Sequence, residues 1–187
     1  MSDSFNQPAL KLGVTAAHES GLLALAEIAT VSKKQFLGGE GYGLTLAGGY
    51  RWGNPDGWHF GVGVARELFP GAKFEAPHGF DFGFFTPTDF RVSDWNTTFA
   101  VVEVGWGAIE GRVMHVVSDT YRGINTGGVC GTMLSYALTA GTDPTDALNC
   151  YALGDHGSRG SWLFDIDYKV DIAAATVLNL HLGHQTI

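Results

Sequence analysis

The segment SWLFDIDYKV, residues 161–170, constrains the fold more than any other stretch of the chain, because large apolar residues occupy every second position. Successive side chains of a β-strand point to opposite faces, so this pattern predicts a strand with one apolar and one polar face. The apolar face carries Trp162, Phe164, Ile166, Tyr168 and Val170. Such a face meets either the interior of a water-soluble barrel or the lipid around a membrane barrel.

The same alternation recurs near residues 10–15, 44–52, 58–65 and 178–183, and in weaker form at 102–106 and 110–118. The segment SGLLALAEIATVSKK is ambiguous, because Ser20 could cap a helix that carries an apolar stripe. We predict a strand over about 22–31 instead, since a helix would leave the neighbouring strand without a hairpin partner in an otherwise all-strand chain. The sequence therefore predicts eight visible strands.

The links between these strands alternate in length. Short links, typical of tight hairpins, lie near Ser20 and at 53–57, 107–108 and 171–174, whereas long links cover about 32–42, 67–96 and 119–158. Outer-membrane barrels have short periplasmic turns and long extracellular loops, so the alternation assigns the links to two ends of one barrel. We predict an all-β fold, a single antiparallel up-and-down transmembrane β-barrel over residues 1–187. With short links on the periplasmic side, the first predicted strand begins and the last one ends on the extracellular side. One more strand at each end would therefore complete a barrel of ten.

The faces opposite the apolar ones combine glycine and alanine with charged residues, which suits the interior of a narrow barrel. Aromatic residues near strand ends agree with this orientation, because amphipathic rings accumulate at membrane interfaces. The candidate lumen residues are Arg51, His59, Glu103, Arg112, Asp165, Asp167, Lys169 and His181. They either line a pore or fill the barrel with salt bridges, and the small expected diameter favours the filled barrel.

Other functions are less consistent with the residues. The net charge of −8 and the absence of a basic cluster argue against nucleic-acid binding. We expect no metal site at His181 and His184, because strand residues three apart face opposite sides, and no cofactor is indicated. His115, Ser118 and Asp119 are the residue types of a hydrolytic triad, but such close strand positions do not converge, so we expect no enzyme activity.

Two features of the long links bear on location and partners. Cys130 and Cys150 both lie in the longest link, and we predict a disulfide between them, formed in an oxidising periplasm. The alternative is a pair of free thiols buried in a cytosolic protein. The aromatic, acidic loop from Phe69 to Phe90 could cover the barrel mouth as a lid or contact a protein partner.

The segments NQPALKLGVTAAHESGL, YGLTLAGGYRW, WHFGVGVARELFPG, SWLFDIDYKV and TVLNLHLGHQ resemble strands and turns of the TorF family of porin-like outer-membrane barrels of proteobacteria. The resemblance covers about Asn6 to the end of the chain and includes no catalytic signature. Members of that family begin with a signal peptide and a further strand and continue past the equivalent of Gln185, so it also implies an additional strand on each side. It implies location in the outer membrane of a Gram-negative bacterium.

Together these observations predict an outer-membrane barrel that acts as a narrow porin or small-solute channel, in contact with outer-membrane lipid and small molecules or ions. Two alternatives stay open from the sequence. One is a non-conducting outer-membrane barrel with a structural or partner-binding role, and the other is a soluble, lipocalin-like barrel that binds a ligand in an apolar interior.

Overall fold

The computed structural model describes residues 10–32, 39–173 and 176–187. Residues 6–9 of the family resemblance, part of the predicted link at 32–42 and residue 174 of the last predicted turn lie outside the described residues. The strands, in chain order, are β1 (Lys11–Ala17), β2 (Leu22–Thr30), β3 (Tyr42–Gly53), β4 (Trp58–Leu68), β5 (Lys73–Asp81), β6 (Thr86–Asp94), β7 (Thr97–Trp106), β8 (Ile109–Val116), β9 (Trp162–Ala173) and β10 (Thr176–Thr186). Two helices, α1 (Thr126–Ala140) and α2 (Thr145–Tyr151), lie between β8 and β9.

Eight of these strands form one curled antiparallel sheet in the order β1-β2-β3-β4-β7-β8-β9-β10, and β5 pairs with β6 in a separate hairpin. This sheet confirms the predicted antiparallel all-β class and contains all eight predicted strands. Within the described residues, β1 and β10 do not pair with each other, so the sheet is an open half-barrel. The short links and the long links leave it at opposite ends, since the strands alternate in direction.

The ambiguous segment after Ser20 is a strand, as predicted. β2 pairs with β1 on one side, from Leu23 to Ala29, and with β3 on the other, from Leu22 to Thr30. Hydrogen bonds to two neighbouring strands satisfy the backbone along its whole length. They outweigh the local preference of leucine and alanine for a helix, which amounts to only tenths of a kcal/mol per residue.

In the central strands the apolar face of the sheet is more exposed than the polar face, whereas the edge strands β1 and β10 are exposed on both faces. Along β4 the side chains of Trp58, Phe60 and Val62 are exposed, at 61%, 39% and 48%, whereas His59 between them is exposed to only 8%. The most deeply buried side chains lie elsewhere, at the long-link end and in its connections: Thr97, Val116, Cys130 and Leu134. The concave side of the curled sheet is therefore the polar face, and its convex side is apolar.

The long link predicted at 119–158 contains two helices, α1 and α2, which the sequence pattern did not indicate. Asn125 caps α1 by accepting a hydrogen bond from the Gly128 amide at 2.7 Å, and Gly141, at φ +67°, ends the helix. Gly131 lies against β5, where a Cβ atom would overlap the Pro77 carbonyl oxygen. No helix in the described part of the chain has the length and apolarity needed to cross a membrane.

The link at 67–96 is also ordered, since it contains the β5–β6 hairpin, and α1 packs against that hairpin. We call the hairpin with α1 and α2 the cap. The predicted disulfide is confirmed: Cys130 in α1 and Cys150 in α2 are bonded, with their Cα atoms 5.3 Å apart. The covalent bond fixes the two helices of the cap to each other.

Candidate functional site

A belt of alternating charges crosses the concave face near the short-link end. Arg112 faces Glu103 in register on β7 and β8, and Arg51 on β3 reaches the same carboxylate across Gly61 of β4. The Arg112 guanidinium lies 2.8 Å from Glu110 and 3.7 Å from Glu103. Arg51 pairs with Glu103 and lies 3.5 Å from Glu110. These four charged residues form what we call the charge belt.

Glycines make room for the charge belt and for the histidine beside it. A Cβ atom at Gly61 would approach the Glu103 side chain to 3.3 Å, and one at Gly105 would overlap the His59 ring. The ring of His59 is therefore held flat against the sheet, with Nδ1 3.4 Å from the Gly57 carbonyl oxygen. The small residues between the charged ones leave space for the long side chains of the charge belt on the concave face of a strongly curled sheet.

A second polar cluster continues across β9 and β10. Nδ1 of His181 lies 3.0 Å from Asp167, and Nε2 lies 3.6 Å from Asp165. Lys169, on the same face, is exposed and has no ion-pair partner within the described residues. Seven of the eight predicted lumen residues therefore lie close together in two clusters, and Lys169 stands apart near the short-link rim.

Ligand atoms of His59, Glu103 and Glu110 lie within 4.8 Å of one another, a spacing that could hold a metal ion. Both carboxylates, however, are already paired with the guanidinium groups of Arg51 and Arg112. Two fixed positive charges in contact with the ligands oppose the binding of a cation, while they balance the two carboxylates. The chemistry of this group is that of a neutral salt-bridge network.

A cavity of about 440 Å³ lies on the concave face, between the charge belt and the long-link end. Its walls are mainly small or apolar and include Leu23, Leu25, Ala47, Gly63, Val101 and Met114. Arg51, Glu103 and Arg112 border it at one end, and Glu67 and Phe99 border it at the other. Its size is within the range of small-molecule sites in proteins.

Residues 121–124, which we call the plug turn, pack onto the cavity wall at the long-link end. Tyr121 is buried and contacts Phe99, and Ile124 packs against the same cluster of side chains. The amide of Ile124 donates to the Tyr121 carbonyl at 2.9 Å, and the two central residues, Arg122 and Gly123, both have positive φ. The plug turn is thus a tight turn that packs onto the concave face at its long-link end.

Arg122 attaches the plug turn to the barrel wall. Its Nε and one terminal nitrogen lie 3.2 Å and 3.1 Å from a carboxylate oxygen of Glu67, and its backbone amide donates to Thr97 at 2.9 Å. The guanidinium also lies over the rings of Phe69 and Tyr121, 5.5 Å and 5.3 Å from their centroids. Such contacts between a cation and aromatic faces add to the attraction of the ion pair.

Three residues of this face, Glu67, Glu110 and Arg122, were not among the predicted lumen residues. Glu110 and Glu67 follow the same alternation as their neighbours Arg112 and His59, so the period-two pattern could have identified both. Arg122 comes from a connection, and nothing in the local sequence indicates that it returns to a carboxylate 55 residues away.

The residue types of a hydrolytic triad are not assembled. His115 faces the convex side, with its ring centroid 4.2 Å from that of Trp162. The Ser118 hydroxyl donates to the Thr120 carbonyl at 2.9 Å, and the carboxylate of Asp119 is exposed beside Arg159. The three side chains therefore have separate partners.

Comparisons with known proteins give no assignment. A scan against models of protein families finds no match for this chain. A search of curated proteins and a search of solved structures also find no similar protein. The fold and its concave face are the basis for the function proposed below.

Proposed function

We propose that the protein is a β-barrel of the outer membrane of a Gram-negative bacterium and forms a narrow pore for small solutes. The observation that carries the proposal is the orientation of the sheet, with its apolar face exposed on the convex side and its charged residues on the more sheltered concave side. A water-soluble lipocalin-like barrel buries the opposite face, because apolar side chains there are removed from water. Val62, Val102 and Ile166, all about half exposed, would contribute to a lipid-facing surface.

The dimensions of the apolar face support a membrane location. On β3 the outward residues begin at Tyr42 and end at Trp52. The ten steps between these two residues, at a rise of about 3.3 Å each and a tilt of about 40°, span about 25 Å, which matches the apolar band of outer-membrane barrels. Aromatic rings at both ends of this stretch suit the two membrane interfaces.

The two ends of the sheet support an orientation within that membrane. Short turns fit the periplasmic side, and the cap fits the extracellular side. The disulfide between Cys130 and Cys150 agrees with an oxidising compartment. The resemblance to the TorF family favours the same location and a complete barrel of ten strands, two more than the eight described in the sheet.

A second candidate function, a non-conducting barrel that binds a partner or has a structural role, is favoured by the side chains that occupy both ends of the concave face. The charge belt occupies one end of that face and the plug turn occupies the other. Narrow barrels are commonly filled by their own side chains, whereas open channels are typical of larger ones. The aromatic tip of the hairpin, with Phe82, Phe84 and Phe85 exposed, is the surface we would assign to a partner.

Heat-modifiable mobility on gels tests whether the protein is a folded membrane barrel, and conductance in planar bilayers then tests whether that barrel is a pore. We expect the protein to fractionate with outer membranes and to run faster before boiling than after, since folded barrels resist detergent. Discrete current steps after insertion into a bilayer would support the pore. Stable insertion without current would favour the partner-binding barrel, and a folded protein in detergent-free buffer would contradict both.

A further inference from the structure

We infer that the plug turn is a gate of the barrel, held closed by the ion pair between Arg122 and Glu67. The inference rests on the proposed pore and adds a mechanism for opening it. Its basis is that the plug turn belongs to a connection, whereas every charge of the charge belt belongs to a strand of the wall. A turn can leave the concave face without breaking the hydrogen bonds of the sheet.

The contacts of Arg122 identify it as the residue that holds the gate. Its guanidinium is less than a third exposed, and it meets the Glu67 carboxylate through two nitrogens. After removal of this charge pair the turn keeps the apolar contacts of Tyr121 and Ile124. It also keeps the hydrogen bond from the Arg122 amide to Thr97 and the bonds to the Ser158 hydroxyl. Charge-assisted hydrogen bonds of this kind are about twice as strong as neutral ones, which makes the ion pair the strongest single polar contact between the turn and the wall.

The backbone of Arg122 favours release once the ion pair is lost. Its φ of +49° lies in the left-handed region, which a non-glycine residue adopts at a cost in free energy. That conformation persists because the side chain is fixed at Glu67 and the backbone amide is fixed at Thr97. Strained residues held in this way are common in segments that switch between two conformations.

The plug turn is also continuous with the cap. Asn125, the residue after the turn, caps α1, and Gly123 lies so close to Phe74 and Asp94 that a Cβ atom would meet them at 3.1 to 3.2 Å. Movement of the turn therefore requires movement against the β5–β6 hairpin. A gate built in this way opens toward the long-link end of the barrel.

Accessibility of the cavity from outside measures the gate directly. We would place a reporter at a cavity position, Ala47→Cys, and label it in intact vesicles with a water-soluble thiol reagent while the native disulfide stays oxidised. Glu67→Gln and Arg122→Ala should each increase the labelling rate about tenfold, as expected for loss of a hydrogen-bonded charge pair. Arg159→Ala is the matched control, because it removes an exposed cation of the same connection.

Two further measurements separate the possible results. The exchanged pair Glu67→Arg with Arg122→Glu should return labelling toward the slow rate of the parent, and fast labelling there would overturn the role of the ion pair. Unchanged labelling in Glu67→Gln, a nearly isosteric variant that folds by gel mobility, would overturn the gate. Faster labelling accompanied by larger bilayer currents would support the gate and the pore, whereas faster labelling without any current would support the gate and overturn the pore.

Discussion

Lysine substitution at the middle of the convex face tests which medium that face meets. Val62 lies four residues from Trp58 and four from Arg66, all on the same outward-facing side of β4. At a rise of about 3.3 Å and a tilt of about 40°, Val62 is about 10 Å from each of these residues along the barrel axis. It therefore lies near the centre of the apolar band, between an aromatic ring and a cation that suit the two interfaces.

The expected cost depends on the medium. A lysine at the bilayer midplane of a β-barrel costs about 2 to 4 kcal/mol, whereas a substitution on an exposed surface in water changes the free energy of unfolding by about 0.5 kcal/mol or less. We expect Val62→Lys to lower the free energy of unfolding in phospholipid vesicles by about 2 to 4 kcal/mol, and Ile166→Lys to lower it by a similar amount. Phe60→Lys, about 5 Å from Trp58, should lose less.

Equilibrium unfolding in urea, followed by tryptophan fluorescence and gel mobility, gives these free energies. Val62→Leu is the matched control for side-chain packing, and it should stay within about 0.5 kcal/mol of the parent. A Val62→Lys variant as stable as Val62→Leu would refute a lipid-facing convex surface. The same conclusion would follow if the lysine variant remained folded in buffer without detergent.

Three further perturbations separate the cap from the barrel. Replacing Cys130 and Cys150 by alanine should lower the free energy of unfolding of the cap by about 3 kcal/mol, the value for a disulfide that closes a loop of this length. The heat-modifiable gel mobility of the barrel should not change. Gly131→Ala should push α1 off the hairpin and expose the cap to protease, whereas Met133→Ala, on the exposed side of α1, should not. A hydrogen bond from Arg91 lowers the pKa of Asp89. The pair of Asp89 and Arg91 therefore stabilises the folded hairpin fully above about pH 4, and this stabilisation is lost as the pH falls through the lowered pKa. Hydrogen exchange of the hairpin should show this acid dependence, and Asp89→Asn should abolish it.

The main sheet could be predicted because its pattern is local and repeated. A side chain on a strand has only two directions, so the sequence of β4 or β9 alone fixes which residues share a face. Short turns then impose antiparallel neighbours, and the order of the strands follows from the order of the chain. The clusters around Glu103 and His181 are consequences of that register, which brings Glu103 to Arg112 and His181 to Asp167.

The cap could not be predicted in this way, because its helix does not carry a strong local pattern. α1 contains glycines at 127, 128 and 131 and several threonines, and both residue types disfavour a helix in isolation. What stabilises α1 is its close approach to the β5–β6 hairpin, which only glycine permits, and the disulfide to α2. These contacts join segments far apart in the chain, so they become visible only when the fold is known.

The two ends of the concave face differ in what can move, and this difference bears on transport. The charge belt is built from strands β3, β7 and β8, whose backbones are paired on both sides, so its charges can only change rotamer. The plug turn is held by one ion pair, by hydrogen bonds to the Thr97 and Ser158 hydroxyls and by apolar contacts, none of which is a backbone hydrogen bond of the sheet. If the barrel conducts, we therefore expect the plug turn to determine when a solute enters. The charge belt, with its nearly fixed guanidinium and carboxylate groups, would then determine which solute passes, because any solute has to exchange its hydration for contacts with both signs of charge.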